Sequence, residues 1–446
     1  MKKEKLSGWG NYPSLAGSTY KVKQPEQLKN KINSESHIIA RGLGRSYGDQ
    51  AISNTALVAM MPSMDKILAF DDLTGVLDCQ AGLSLHQIIK IFAPRGWFPM
   101  INPGTKYVTI GGAIANDIHG KAHHVDGSFI NCVENFDILL ANNELKTCSR
   151  SENKELFLAN FGGLGLLGII VRVKIKLKKI ETTYFKQTAI NCKNIDHMLD
   201  AFDQYDNQYD YSVAWVNALA KGKNLGKGVL TLGNQAKLED LSFKLKSDPL
   251  HVAPEPKLTV PFYLPNFSLN AVSVKILNKV IAYVQAKPTS IVHYEKFFFP
   301  LDAILHWNRG YGKRGFIQYQ FVIPLDNGRE NIKKLLTAVS ESGCNPFLNV
   351  LKKFGEGQQY LSFPKPGYTF AIDFPVTKKL PEFVAQLDQM VHACGGRVYL
   401  GKDAMLSATM FRKMYPDYQQ WLAIKKKYDP YNKFTSALAR RLALIV

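Results

Sequence analysis

The chain is short of several things that would fix its class at once. No window approaches the ~18 uninterrupted apolar residues of a membrane-spanning helix. Cysteine is sparse: the six residues Cys79, Cys132, Cys148, Cys192, Cys344 and Cys394 stand singly in 446 positions. No C-x-x-C occurs, so neither a zinc ribbon nor a dithiol redox motif is written, and reduced thiols are expected. Repeats, low-complexity tracts, RNP signatures and zinc-finger spacings are absent. The opening MKKEKLSGWGNYPS has charge but no apolar h-region, so no signal peptide is expected and the cytoplasm is the expected compartment. Acidic residues are also few, 37 against 56 basic, for a net charge of +19. That field favours anionic partners such as phosphate ligands or acidic lipid. The lysines are dispersed in short runs, LKKI, VLKKFG and IKKKYD, and no basic arm points to nucleic acid, which is not expected as a partner.

At 446 residues the chain exceeds the usual single core, so two domains are expected. Residues 37–62, HIIARGLGRSYGDQAISNTALVAMMP, read as strand, glycine-rich loop, strand. LTGVLDCQAG reads as a strand, and LSLHQIIKIFAPRG as a helix stopped at Pro94 and Gly96. VENFDILLANNELKTCS is a hairpin with Asn142–Asn143 in its turn. SENKELFLANFG is an amphipathic helix with Ser151 as its N-cap. In VRVKIKLKKI, Val171, Val173, Ile175 and Leu177 share one face, and Arg172, Lys174 and Lys176 share the other, as in a strand with one wet side. The five prolines of residues 249–265 predict an irregular surface segment, since proline cannot donate to a sheet ladder. Beyond it, GFIQYQFVIP and YTFAIDFPV are strands, PEFVAQLDQMVHACGG is a helix ended by glycines, and the tail is largely helical.

GLGLLG, from Gly163 to Gly168, matches the dinucleotide fingerprint G-x-G-x-x-G. That fingerprint needs a strand before it and a helix after it. Here ELFLANFG precedes and IIVRVKIKL follows, so the order is reversed and a Rossmann site is rejected. These glycines instead let the chain pass close to another backbone or a ligand ring. ARGLGRSYGDQ, residues 40–50, is the better lead. Its three glycines leave backbone N–H groups able to face a phosphate, although an ordinary tight turn explains them equally well. In PGTKYVTIGGAIAND, Thr109 precedes a short helix whose start would add donors to the same anion.

ARGLGRSYGD, PGTKYVTIGGAIANDIHGKAHHVDGSF and ELFLANFGGLGLLGII, in this order and spacing, resemble the FAD-linked oxidases of the vanillyl-alcohol-oxidase type. GFIQYQFVIP, FLNVLKKFG, PGYTFAIDFP, RVYLGKDA and KKYDPYNKF extend the resemblance over nearly the whole chain. It implies an α+β fold: a two-part FAD-binding domain of residues 1–183 plus a returning segment 397–446, and an antiparallel-sheet substrate domain of residues 184–396. The implied FAD contacts are Arg41, Gly42, Leu43, Gly44, Arg45, Ser46, Tyr47, Gly48, Pro103, Gly104, Thr105, Thr109, Gly111, Gly112, Asn116, His119, Gly168, Ile169, Tyr399 and Lys402. Many relatives tether the flavin through the histidine of a G-H-S element. Here that element is Gly44-Arg45-Ser46, so FAD is expected to be non-covalent, with Arg45 near phosphate.

DIHGKAHH, residues 117–124, packs three histidines, an aspartate and a lysine together. Asp117, His119 and His123 are too few for a metal cage, and no second ligand cluster is evident, so no metal is expected. A polar capping loop and a flavin-facing loop both remain open from the residues alone. The resemblance implies the latter, with His119 and Lys121 facing flavin and substrate. It also implies that Lys402 is the cation beside the reduced flavin, or alternatively a desolvated base. Tyr47, Gln318, Gln320, Lys352, Thr369, Ala371, Asp373 and Tyr399 fall at substrate-pocket positions. Gln318 and Gln320, two apart on a strand, face one side. Thr369 and Ala371 stand where the nearest relatives carry asparagine and cysteine, which removes one sugar contact and a reactive thiol.

The implied activity is oxidation of a secondary alcohol, C2 of a polyprenyl-phosphate-linked pentose, as the oxidase half of a 2-epimerase. A short-chain reductase partner and a peripheral contact with an anionic membrane come with it. Two other readings stand beside it: oxidation of a soluble aldonolactone or alditol, and a basic membrane- or nucleic-acid-binding protein on an inactive flavin fold.

Overall fold

The alternation from Val171 to Leu177 becomes Ile169–Lys179, the longest strand among the described residues of this computed structural model, which covers residues 2–285 and 289–445. Its apolar face is buried, while Arg172 and Lys176 are exposed. It is the spine of a six-stranded sheet, pairing antiparallel with Val76–Gln80 on one side and Val133–Leu139 on the other. The hairpin from Val133–Leu139 to Leu145–Ser149 turns through Asn143, whose φ of 63° is the left-handed conformation that asparagine tolerates. The helix that follows, Lys154–Asn160, is preceded by Asn153 rather than by the expected cap Ser151. Ser151 is held in a turn in which Ser149 Oγ accepts the N–H groups of Ser151 and Glu152 at 3.2 and 2.9 Å.

A four-stranded sheet runs Lys2–Ser7, Ser14–Lys21, Leu57–Met60, Ile38–Arg41. Ile38–Arg41 and Leu57–Met60 are parallel neighbours. Parallel neighbours cannot be joined by a tight turn, so the chain must travel back along the sheet before re-entering it. The glycine-rich loop that leaves Arg41 makes this return.

Residues 184–398 build an eight-stranded antiparallel sheet in the order Ser290–His293, Tyr184–Cys192, Gly228–Gln235, Tyr211–Val216, Asn349–Phe354, Gly367–Pro375, Phe316–Ile323, Arg397–Val398. Arg397–Val398 closes one edge of this sheet by pairing with Phe321 and Val322. The proline-rich stretch 249–265 is irregular except for Leu258–Thr259, which pairs with Ile304–Leu305 between Pro256 and Pro261. The helix Ala271–Gln285 packs on Gly228–Gln235. No helix among the described residues is long and apolar enough to cross a membrane.

Two ionic contacts fasten the tail to the first sheets. Lys425, fully buried, donates to Asp429 Oδ2 at 2.8 Å, Leu166 O at 2.9 Å and Phe434 O at 3.1 Å. Arg441 grips Asp49 through Nε at 3.1 Å and Nη2 at 2.6 Å, and reaches Asp403 Oδ2 through Nη1 at 2.9 Å. Both carboxylates are buried. Removing the guanidinium leaves two buried carboxylates without their cation, although Asp403 Oδ1 still accepts from the amides of Met405 and Leu406, so Arg441→Ala is expected to cost about 3–5 kcal/mol, read as a lower denaturation midpoint in urea.

Candidate active site

A cavity of about 620 Å³ is lined by residues of all three sheets. At one end lies the glycine loop. The backbone amides of residues 42–48 have no acceptor among the described residues, although they line the cavity. Gly44 has φ 67°, the left-handed region, and a Cβ there would meet Arg41 Nη2 at 2.4 Å. Gly42 and Gly48 are pressed closer still: a Cβ would lie 2.2 Å from Thr109 Oγ1 and 1.8 Å from Asp403 O. Gly104, also in the lining, has nothing within 4 Å of where a Cβ would stand. Consecutive unspent amides on a cavity wall suit a diphosphate. Arg45, half-buried and stacked 3.9 Å over the Trp9 ring with its Nε unpaired, adds a cation.

The helix Ile110–Ala115 does not contribute as expected. Thr109 does cap it, accepting from Gly112 N at 3.3 Å, but the amides of Ile110 and Gly111 already donate to Leu83 O and Ala81 O, both at 2.8 Å. The start of this helix therefore has no donors to spare for an anion. GLGLLG is flanked as the sequence indicates, helix before and strand after, and Leu164, Gly165 and Gly168 line the cavity.

The middle of the cavity is built around His119. Its Nε2 faces Gln320 Nε2 at 3.0 Å, and its ring packs among Phe354, Phe363 and Tyr399. Gln320 donates its other hydrogen to Thr369 Oγ1 at 3.0 Å, leaving Oε1 with no donor among the described residues. Since Gln320 donates, His119 Nε2 accepts, which puts the proton on Nδ1. Burial, then Lys352, hold His119 far below its ordinary range, so it is neutral. The other histidines turn elsewhere: His123 Nδ1 accepts from Gly355 N at 3.2 Å, and His124 Nε2 lies 2.9 Å from Tyr209 O. Asp117 is a structural latch, accepting from Ser362 Oγ at 2.5 Å and Ser128 Oγ at 2.9 Å. Among the described residues no group of three is placed to hold a metal ion.

Three lysines gather on the cavity wall. Lys402 donates to Gln318 Oε1, and Gln318 Nε2 donates to Asp373 Oδ1 at 2.5 Å. Tyr311 completes the carboxylate's partners at 3.2 Å. Lys121 donates to Phe297 O and sits 4.6 Å over that ring. Lys352 lies 5.7 Å over Phe354. Each keeps some surface toward the cavity but is walled from bulk solvent. Burial pushes Lys121 down to about 7. Burial, then the neighbouring Lys402 and Lys121, bring Lys352 to about 7 as well. Lys402 is lowered by burial, with Asp373 opposing. Burial raises Asp373 in turn.

The remaining expected residues divide clearly. Arg41, Leu43, Ser46, Tyr47, Pro103, Thr105, Asn116, Tyr399 and Ala371 line the cavity. Tyr47 packs edge-on to Phe316, with Lys402 5.5 Å above its ring, and Tyr399 donates to Asn116 O at 2.8 Å. Thr369 and Asp373 stand behind the two glutamines rather than on the cavity wall. Ile169 does not reach the cavity. It packs into the core against Ile38 and Leu57, while Ile170 lines the cavity instead, because strand neighbours point to opposite faces. Sequence reasoning missed Trp9, Asp302 and Trp215, all in the lining, and Arg441 behind it. No local motif marks any of them.

Two known families match the chain. One described as FAD binding domain covers residues 28–149, and one described as D-arabinono-1,4-lactone oxidase covers residues 269–442. Decaprenylphosphoryl-β-D-ribose oxidase of Mycolicibacterium smegmatis is 39% identical over 99% of this chain and 98% of its own length. An uncharacterized protein of Streptomyces coelicolor is 29% identical over 81% of this chain and all of its own length. Cytokinin dehydrogenase 2 of Arabidopsis thaliana is 33% identical over only 31% of this chain and 28% of its own.

The crowded amines have a measurable cost. Lys352, depressed from 10.5 to about 7, destabilises the fold fully below that value, and the cost fades as pH rises toward 10.5. Lys352→Met should therefore raise the melting temperature of the ligand-free protein by several degrees at about pH 6 and by less at about pH 9. A gain that grew with pH would contradict this electrostatic account.

Proposed function

The chain belongs to the FAD-linked oxidase family and is an FAD-dependent oxidoreductase, and on that premise we propose that it oxidises C2 of a polyprenyl-phosphate-linked pentose. The observation that carries this reading is the cluster of Lys121, Lys352 and Lys402 in one cavity that Lys296 also lines, against a single lining carboxylate, Asp302, with Asp373 set behind Gln318. Such a site favours an anionic occupant. Bound FAD supplies the hydride acceptor for the alcohol. Residues 1–183 with the tail hold it, and residues 184–396 present the substrate. The amides of 42–48 and Arg45 take the diphosphate. Arg45 stands where a tethering histidine would be, and arginine makes no such bond, so the flavin is held without a covalent link.

Lys402 acts as the fixed cation beside the developing negative charge, oriented by Gln318, which Asp373 holds from behind. Gln318 presents its amide to the sugar, Gln320 stiffens the wall behind it through His119 and Thr369, and Lys352 and Lys121 meet the phosphate. The ring wall of Phe354, Phe363 and Tyr399 keeps water from His119. The 2-keto product goes to a reductase partner that completes the epimerisation. Residues 256–285 contain no acidic residue, carry Lys257, Lys275 and Lys279, and expose Phe262, Phe267, Val272 and Ile276. A peripheral contact with an anionic membrane, on its cytoplasmic side, follows from that surface.

The match of residues 269–442 to D-arabinono-1,4-lactone oxidase favours a second reading, a soluble aldonolactone substrate. Anaerobic mixing separates the two: a phosphopentose lipid should bleach the flavin, and an aldonolactone should leave it oxidised. Lys402→Met should lower kcat by about 10²–10³-fold. The cation is needed, so kcat of the native enzyme should fall as alkaline pH removes the Lys402 proton; a rise would make the amine a base instead. Acid precipitation of the yellow protein should leave its flavin in the supernatant.

A further inference from the structure

The cavity does not end at the lysines. From Gln320 the register of the eight-stranded sheet carries a row of directly opposed residues across four strands: Gln320 faces Ala371, Ala371 faces Val350, and Val350 faces Trp215. All four line the cavity. Val213, two residues from Trp215, and its partner Thr231 continue the wall one strand further. Neighbouring strands lie about 4.8 Å apart, so the row from Gln320 to Trp215 spans ~14 Å. This limb of the cavity has no charged side chain on its sheet wall beyond Lys352, which stands two positions from Val350 on the same strand and face.

The helix Ala271–Gln285 roofs the limb. Ile281 lines it from above, and Val274 is fully buried. The outer side of the same helix sets Val272, 67% exposed, and Ile276, 58% exposed, among the exposed Lys275 and Lys279. An apolar inner side with an outer side of lysines among apolar residues suits a helix lying at a lipid surface.

We infer that this limb, from Val350 across Trp215 and Val213 and beneath the 271–285 helix, is the seat of the first isoprenoid units of the substrate. The inference rests on the phosphopentose reading above and adds where its lipid runs. With the phosphate at Lys352, the ester oxygen points along the row, and the chain leaves under an apolar roof whose outer face carries lysines and no acid.

The test uses the FAD-loaded enzyme and methyl, geranyl and farnesyl esters of the same phosphopentose, below their micelle concentrations. Flavin reduction with the farnesyl ester should exceed that with the methyl ester in kcat/KM by roughly 10-fold or more. Farnesyl phosphate, which has no sugar, should bind more tightly than methyl phosphate by a similar ratio in titration calorimetry. Val213→Asp should collapse both ratios toward one, the methyl compounds serving as the reference within each protein. Thr231→Phe, which fills the limb instead of charging it, provides a second variant should the first not fold. Equal kcat/KM and equal binding along the series would overturn the lipid seat while leaving the oxidase reading intact. Tight farnesyl phosphate binding with no bleaching by any phosphopentose would keep the seat and sink the substrate reading. Ratios that survive both variants would place the lipid elsewhere.

Discussion

One guanidinium holds the two halves of the active site in register. Arg441, at the end of the short helix Ala437–Arg441, bonds Asp49 at the end of the glycine loop and Asp403 beside Lys402. The loop and the lysine come from opposite ends of the sequence, and a Cβ at Gly48 would already strike Asp403 O. Backbones that approach so closely leave no room for drift, and buried carboxylates that share one cation add directionality to the contact. The distance between the glycine loop and the Lys402 amine is thus set by a residue that lines no part of the cavity.

The charge distribution follows from the same economy of acids seen in the composition. Many surface carboxylates are spent on ion pairs, such as Asp200 and Asp203 with Arg329 and Glu155 with Lys427. Inside, four lysines and two arginines line a cavity with one lining carboxylate, Asp302, and a second, Asp373, reached only through the Gln318 amide. Such a site is electrostatically incomplete by itself, and its depressed lysines record the strain of that incompleteness. Anion binding relieves it, which couples affinity for phosphate to the stability of the whole substrate sheet.

Much of this was legible in the sequence wherever the signal was local. The glycine loop, the Thr109 cap, the rejected dinucleotide fingerprint and the shared face of Gln318 and Gln320 all rest on spacing within a few residues. The alternation that buries Val171 also assigned Ile169 to the core, so its place among the flavin contacts conflicted with the strand period from the outset. The spent amides of Ile110 and Gly111 were invisible because their acceptors lie some 30 positions earlier. The Trp215–Val350–Ala371 row was hidden for a similar reason. Its order depends on which strands pair, and residues 215, 350 and 371 have no common motif. Arg441 belongs to the same class: a tertiary contact with no local pattern.

Gln320 carries a final implication. Both of its amide hydrogens are committed, one to His119 and one to Thr369, so its oxygen can only accept. That oxygen is itself buried, so the whole amide works behind the cavity surface: it fixes the His119 ring from one side and Thr369 from the other, and rigidity rather than reach is what Gln320 contributes to the wall.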